Sequence, residues 1–243
     1  MTVKQTFHSV KLGFTRCYLV KCLDGYLLID TSDTSYFRSF QKRTAKLGID
    51  LTEIKYLLLT HHHDDHAGFA AELIEKTGCR VVVHRDAVSA LKQGKGEYTG
   101  AKVLNRRVYA TMMFYSWFYI LFYGKTFPPL TFSDRDIVLE GDNESFLKEI
   151  GIDGVVLHTP GHTKDSISVL LSDGTAFVGD AAMNFLWWTG SRHRPIGFDD
   201  INTVYESWQK LREHGARVIY PAHGKPFSAQ ELVPSLVTSP LEW

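Results

Sequence analysis

Short apolar runs that stop abruptly at histidine, aspartate or glycine set the rhythm of this chain. Tyr56-Leu57-Leu58-Leu59 leads into Thr60-His61-His62-His63-Asp64-Asp65-His66, and Val155-Val156-Leu157 leads into His158-Thr159-Pro160-Gly161-His162. Ala176-Phe177-Val178-Gly179 leads into Asp180, and Val218-Ile219-Tyr220 into Pro221-Ala222-His223-Gly224. Runs of this length, apolar without alternation, predict buried strands. Their carboxyl ends would deliver His, Asp and Gly to one rim, where loops vary over a rigid support. The recurrence hints at two related halves without being a sequence repeat.

Other elements follow from the same patterning. Arg16 to Val20 and Tyr26 to Ile29 read as a hairpin closed near Asp24-Gly25. Ser35 to Leu47 places Phe37, Phe40 and Leu47 among Arg38, Lys42, Arg43 and Lys46, a helix with a solvated basic side. Ala67 to Lys76 predicts a helix that begins after the histidine string and ends at Gly78, with Arg80 to His84 as the next strand. Asp200 to His214 predicts a helix with Val204, Trp208 and Leu211 as its apolar stripe, stopped by Gly215.

Composition sets limits. A chain of 243 residues with 44% hydrophobic and 22% charged residues can bury a full core, and one domain over residues 1–243 is the expectation. A formal net charge of zero gives no pull toward nucleic acid, so no nucleic-acid partner is expected. Cys17, Cys22 and Cys79 form no C-x-x-C pair and fit reduced thiols. The first seven residues lack the apolar core of a signal peptide, which points to the cytoplasm.

The histidine string carries the chemistry. It packs metal-capable side chains so densely that a structural explanation is strained, and its His/carboxylate mixture suits zinc or another first-row divalent ion. His61 and His63 alternate and so point the same way in extended backbone, whereas Asp65 and His66 need a turn to form a second group. Two ligand groups imply two ions. His62 and Asp64 alternate away and face supporting groups or the neighbouring turn. His158 is open between a partner of a metal ligand and a core histidine with its bonds satisfied. His8, His84, His193 and His214 lack comparable context.

The ordered set H-x-H-x-D-H, T-P-G-H-T, G-D and P-A-H-G resembles the metallo-β-lactamase superfamily over most of the chain. The resemblance implies an α/β fold, an αββα sandwich of two mixed β-sheets flanked by helices. It implies His61, His63 and His162 on one ion, Asp65, His66 and His223 on the other, and Asp180 bridging. Zinc is the first choice for the two divalent metal ions, with iron or manganese as alternatives. Two adjacent cations would take the proton from a shared water near neutral pH, supplying a nucleophile without serine or cysteine. Asp65 would orient it and Asp180 would hold the ions together, so these two are the catalytic positions.

Branches of the family differ from this chain in ways that narrow the substrate. Antibiotic-hydrolysing members lack the bridging carboxylate that Asp180 supplies, and flavin-linked di-iron reductases carry glutamate where His63 stands. Glyoxalase II shares the ligand set but adds a glutathione-binding helical region, and only 20 residues follow His223. Acyl-homoserine lactonases place tyrosine where Met183 stands. The expectation is a hydrolase cleaving an ester-like bond, lactone or thioester, of a small-molecule substrate with a hydrophobic part. A phosphodiesterase, a mononuclear-iron sulfur dioxygenase and a silent ligand binder are the alternatives.

Val108 to Tyr123 stands apart, with eight aromatic residues in 16 and no polar side. It falls within an aromatic-rich helical insertion at about 94–135, and it is shorter than the roughly 20 residues of a membrane span. Three readings stay open: a buried or homodimer-forming helix, a pocket lid over the metals, and peripheral membrane contact with Arg106, Arg107 and Lys125 at its ends. Phe185-Leu186-Trp187-Trp188, just after Asp180, lines the same pocket or packs in the core.

Overall fold

Strand alternation in this chain sorts apolar side chains into three separate cores, and those cores define the layers. The computed structural model describes residues 5–96, 101–122, 126–235 and 240–242; of the side chains in 115–122 and at Glu242 nothing is described. The first sheet runs in the order β1 (Phe7–Leu12), β2 (Thr15–Cys22), β3 (Gly25–Ile29), β4 (Ile54–Leu58), β5 (Arg80–His84), β7 (Ile137–Leu139). Its β1, β2 and β3 form an antiparallel meander, whereas β3, β4, β5 and β7 are parallel. The second sheet runs β13 (Phe227–Ser228), β12 (Val218–Tyr220), β10 (Thr175–Phe177), β9 (Ile167–Leu171), β8 (Gly154–His158). A small third sheet joins β11 (Gly197–Phe198), β6 (Lys102–Val103) and β14 (Leu241–Glu242).

Period-2 geometry sends Leu19, Leu28, Leu57, Val81 and Val83 to the outer face of the first sheet, against α1 (Phe37–Lys46), α3 (Ala70–Thr77) and α4 (Val88–Gln93). Tyr18, Val20, Leu27, Ile29, Leu58 and Val82 point the other way and meet Val156, Val169, Leu171 and Phe177 of the second sheet. The far face of that sheet, through Leu157, Leu170, Ala176 and Ile219, buries Val204, Trp208 and Leu211 of α7 (Ile201–Glu213). The order is therefore helix, sheet, sheet, helix, the expected αββα sandwich with two mixed sheets. A short helix, α6 (Phe146–Glu149), packs Phe146 and Leu147 into the inter-sheet core.

Most predicted elements hold. The hairpin turns at Leu23-Asp24, and the stripe of α7 lies where its spacing placed it, with the Asp200 carboxylate capping the helix by accepting from Asn202 N and Thr203 N. One boundary differs. Instead of a helix from Ala67 to Lys76, helix begins inside the histidine string as α2 (Asp64–Ala67) and restarts as α3 after Gly68-Phe69. Gly68 lies against the carbonyls of Ser32 and Asp64 so closely that any Cβ would overlap them, and that close approach accompanies the break.

The aromatic stretch begins as expected: α5 (Arg106–Phe122) is a helix of 17 residues. Val108 is buried and Met112 packs against the third core, while Tyr109, Met113 and Phe114 face outward. The side chains of 115–122 and all of 123–125 lie outside the described residues, and with them the lid, homodimer and membrane readings insofar as they rest there. Among the described residues, no helix is long and apolar enough to cross a membrane. Cys17, Cys22 and Cys79 are free and buried, as reduced thiols would be.

Candidate metal centre

The four ligand-bearing segments meet at one rim because β4, β8, β10 and β12 all end there. His61 and His63 extend from β4, and α2 then turns Asp65 and His66 toward the second group. His162 follows β8, Asp180 follows β10 and His223 follows β12. All seven predicted residues converge, in groups His61/His63/His162, His61/His66/Asp180 and Asp65/His66/His223.

In the first group His61 Nε2 lies 3.0 Å from His63 Nδ1, and His162 Nε2 lies 3.2 Å from His61 Nε2 and 3.1 Å from His63 Nδ1. In the second, His223 Nε2 stands 3.1 Å from Asp65 Oδ2 and 3.3 Å from Asp180 Oδ1, and His66 Nε2 stands 3.4 Å from the same Asp180 oxygen. The other Asp180 oxygen, Oδ2, is 3.6 Å from His162 Nε2. Asp180 thus divides its two oxygens between the two groups.

Hydrogen bonds behind these rings fix which nitrogens face inward. Thr60 Oγ1 donates to Asp30 Oδ2, so it accepts from His61 Nδ1 at 3.1 Å. His162 Nδ1 donates to Gly197 O, His66 Nδ1 to Asp30 Oδ2, and His223 Nδ1 to Phe14 O. Each of these rings therefore faces inward through Nε2, which offers a lone pair when the ring is neutral. Two lone pairs facing at 3.2 Å repel unless a cation sits between them. Buried His66 Nε2 and Asp180 Oδ1 have no hydrogen-bond partner among the described residues. Nitrogens sharing one tetrahedral zinc sit roughly 3.3 Å apart, close to the spacings found here. The donor set fits divalent metal.

Electrostatics agree. Burial, reinforced by the neighbouring rings, holds His61 and His63 well below the ordinary imidazole value, so they stay neutral as ligands must. Burial would also lower His223, yet the Asp180 and Asp65 carboxylates outweigh it and push it up to about 10. Burial opposes ionisation of Asp65, but His66 and His223 pull it down to about 2. The second group thus demands positive charge.

Two supporting residues gave no clear sequence signal. Asp30 follows β3 directly and accepts from Thr60 N at 2.7 Å, Thr60 Oγ1 at 2.8 Å and His66 Nδ1 at 2.9 Å. Its only trace in the sequence is a carboxylate ending a buried strand beside β4. Asp165, three residues after His162, accepts from His62 Nδ1 at 2.9 Å, which is the supporting contact expected of His62. His158 is a satisfied histidine: its Nε2 donates to Lys164 O at 2.7 Å and its ring stacks on His84 at 4.2 Å. The Phe185 cluster splits three ways. Phe185 lies 6.2 Å from the His223 ring and 5.8 Å from that of Phe14, Leu186 is buried, and both tryptophans are exposed. Met183 is buried.

Comparisons with known proteins match this geometry. The family model described as metallo-beta-lactamase superfamily covers residues 10–223. A beta-lactamase-like protein 2 homolog of Drosophila melanogaster is 26% identical over 222 residues, 89% of this chain and 60% of that protein. A hydroxyacylglutathione hydrolase of Rhodopseudomonas palustris is 32% identical over 174 residues, 67% of this chain and 50% of that protein. The chain therefore spans between half and three-fifths of the length of these two relatives. Among solved structures, an archaeal superfamily protein from Sulfolobus tokodaii superposes with TM-score 0.64 at 23% identity, covering 95% of this chain and 84% of that one. A family protein from Thermus thermophilus superposes with TM-score 0.65 at 22% identity, covering 94% of this chain and 76% of that one. The shared fold and the family match from Val10 to His223 together place this chain in the metallo-β-lactamase superfamily.

Proposed function

We propose that this chain is a dinuclear metal-dependent hydrolase that cleaves an ester-like bond, a thioester first and a lactone second, in a substrate with a hydrophobic acyl part. The observation that carries the reading is the division of the Asp180 carboxylate between His162 on one side and His66 and His223 on the other. His61, His63 and His162 would hold one ion, Asp65, His66 and His223 the other, with Asp180 shared. When bound, such a pair lowers the pKa of coordinated water and polarises a carbonyl oxygen, and zinc is the ion these donors fit best.

The chain's own groups supply the rest. Asp65 is the least buried of the acidic ligands, and its Oδ1 and Oδ2 lie 3.8 Å from His66 Nε2 and 3.1 Å from His223 Nε2. Its carboxylate, held ionised, can orient water by accepting a hydrogen bond from it. Phe14 and Phe185 place aromatic rings beside His223, a surface that suits an acyl chain. The hydroxyacylglutathione hydrolase relative favours the thioester within this class.

The experiment is a set of initial rates on zinc-loaded protein against acyl lactones, acyl thioesters and a phosphodiester, alongside a metal count. Thioester turnover that rises with acyl length, with two ions per chain, is the expected result. Cleavage of the phosphodiester alone, or one ion per chain at full activity, would overturn the proposal.

A further inference from the structure

A second surface, adjoining the metal rim but separate from its ligands, has the composition of a lipid-facing patch. Trp187 and Trp188 project from the turn after Asp180 at 76% and 54% exposure. Asn105 Nδ2 donates to Thr189 O at 3.2 Å, which ties that turn to the first turn of α5. Because Val108 and Met112 are spent on the third core, the helix turns Tyr109, Met113 and Phe114 outward, and Arg106 precedes Tyr109 by three residues, one turn along the helix. Single exposed apolar residues need no explanation, but two segments joined by a hydrogen bond and both presenting large aromatics do.

Charge completes the pattern. In a chain with formal net charge zero, neither 101–122 nor 181–198 contains an aspartate or glutamate, while the two segments hold Lys102, Arg106, Arg107, Arg192 and Arg194. Arg106, Arg107 and Arg192 are exposed; Arg194 is buried, donating to Ser191 O and Gly190 O. Acidic residues meet these segments away from the exposed arginines: Glu231 lies 3.3 Å from His193, Asp200 lies beside Lys102, and Glu242 is the strand partner of Lys102. Indole rings prefer the headgroup level of a bilayer, and arginines beside them favour anionic headgroups. A second copy of the chain suits the patch less well. A two-fold interface would set the arginine rim of one copy against that of the other.

We infer that the face formed by Tyr109, Met113, Phe114, Trp187 and Trp188, rimmed by Arg106, Arg107 and Arg192, docks on an anionic phospholipid surface. The contact is peripheral: the aromatic side chains enter the headgroup region and the arginines pair with lipid phosphates, while the rest of the chain stays in water. It does not depend on the proposed hydrolysis.

Co-sedimentation of the full chain with phosphatidylcholine vesicles, and with vesicles containing phosphatidylglycerol, tests it. Binding is expected to rise with the phosphatidylglycerol fraction, to weaken with salt and to shift tryptophan emission to the blue. R106Q/R107Q should weaken partition by about fivefold per arginine. W187A/W188A should weaken it roughly tenfold, with the melting temperature unchanged in both variants. Absence of partition to anionic vesicles overturns the inference, as does partition untouched by both variants. Self-association that W187A/W188A abolishes, without vesicle binding, assigns the face to a second copy and overturns it too.

Discussion

The Asp30 carboxylate lies 2.9 Å from His66 Nδ1, and through that bond a residue 36 positions away decides which nitrogen His66 offers to the metal centre. The same carboxylate takes Thr60 N and Thr60 Oγ1, so it also fixes the segment that carries His61 and His63. Asp30 sits at φ +59°, a left-handed conformation that aspartate tolerates better than most residues. Substituting Asp30→Asn keeps the shape but turns a strong acceptor into a weaker one that cannot fix the His66 tautomer. Zinc affinity, read by competition with a chromophoric chelator, is expected to fall about 10–100-fold, the range for such supporting bonds. Unchanged affinity would remove Asp30 from the site.

Gly179 precedes Asp180 at φ +51°, and a Cβ there would run into the side chain of Thr60. Gly179→Ala therefore combines backbone strain with displacement of the group that supports both Asp30 and His61, and should cost about 2–4 kcal/mol. Gly78→Ala is the control. Gly78 has φ +65° but open space around the added methyl, so only the backbone term remains, about 1 kcal/mol. Urea denaturation separates the two; equal losses would show that Thr60 gives way freely.

How much was legible in the sequence follows from where each signal lies. The candidate ligands stand at the ends of apolar runs, which predicts a shared rim; the set of seven follows from the resemblance to the metallo-β-lactamase superfamily, and the structure brings those seven side chains together. The supporting carboxylates could not be named in advance. Asp30 and Asp165 act across 30 and 103 residues on Thr60 and His62, and long-range partners of this kind leave no local pattern. The break between α2 and α3 was hidden for a related reason, since it coincides with Gly68 meeting Ser32 O from a distant loop. The Phe185 cluster had two readings because a short aromatic run has no period to choose between core and surface; the turn at Trp187–Thr189 sends its members in different directions.

A pH-dependent contribution is expected from the opposite side of the second sheet. Lys210 Nζ bonds both Asp142 oxygens, at 2.9 Å and 3.0 Å, and also His158 O, while Asp142 Oδ1 accepts from His158 N. Partial burial would raise the Asp142 carboxyl, but the Lys210 and His158 bonds outweigh it and the pKa is lowered. A depressed folded-state pKa gives stability that is present above the unfolded value near ~4 and disappears as pH falls through the folded value. The pair is half exposed, so solvent screening limits it to about 0.5–1 kcal/mol at pH 7. Asp142→Asn should lose that much at pH 7 and progressively less toward pH 3. A stability gap that stays constant between those pH values would show the bond to be independent of charge.

Metal removal should be felt by the whole fold. The residues around the proposed ions come from four strand ends on both sheets, and the facing lone pairs of His61 and His162 repel one another when no cation separates them. Ions that bind the folded chain and not the unfolded one stabilise it by mass action, by about 4 kcal/mol at a free concentration roughly a thousandfold above Kd. Chelated protein is therefore expected to melt lower, and zinc titrated back should restore the melting temperature with a break at two ions per chain. Asp180→Ala should abolish that second equivalent, because it deletes the carboxylate divided between the groups. If the variant still takes up two ions and recovers its full melting temperature, Asp180 does not bridge, and the dinuclear reading loses the observation that carries it.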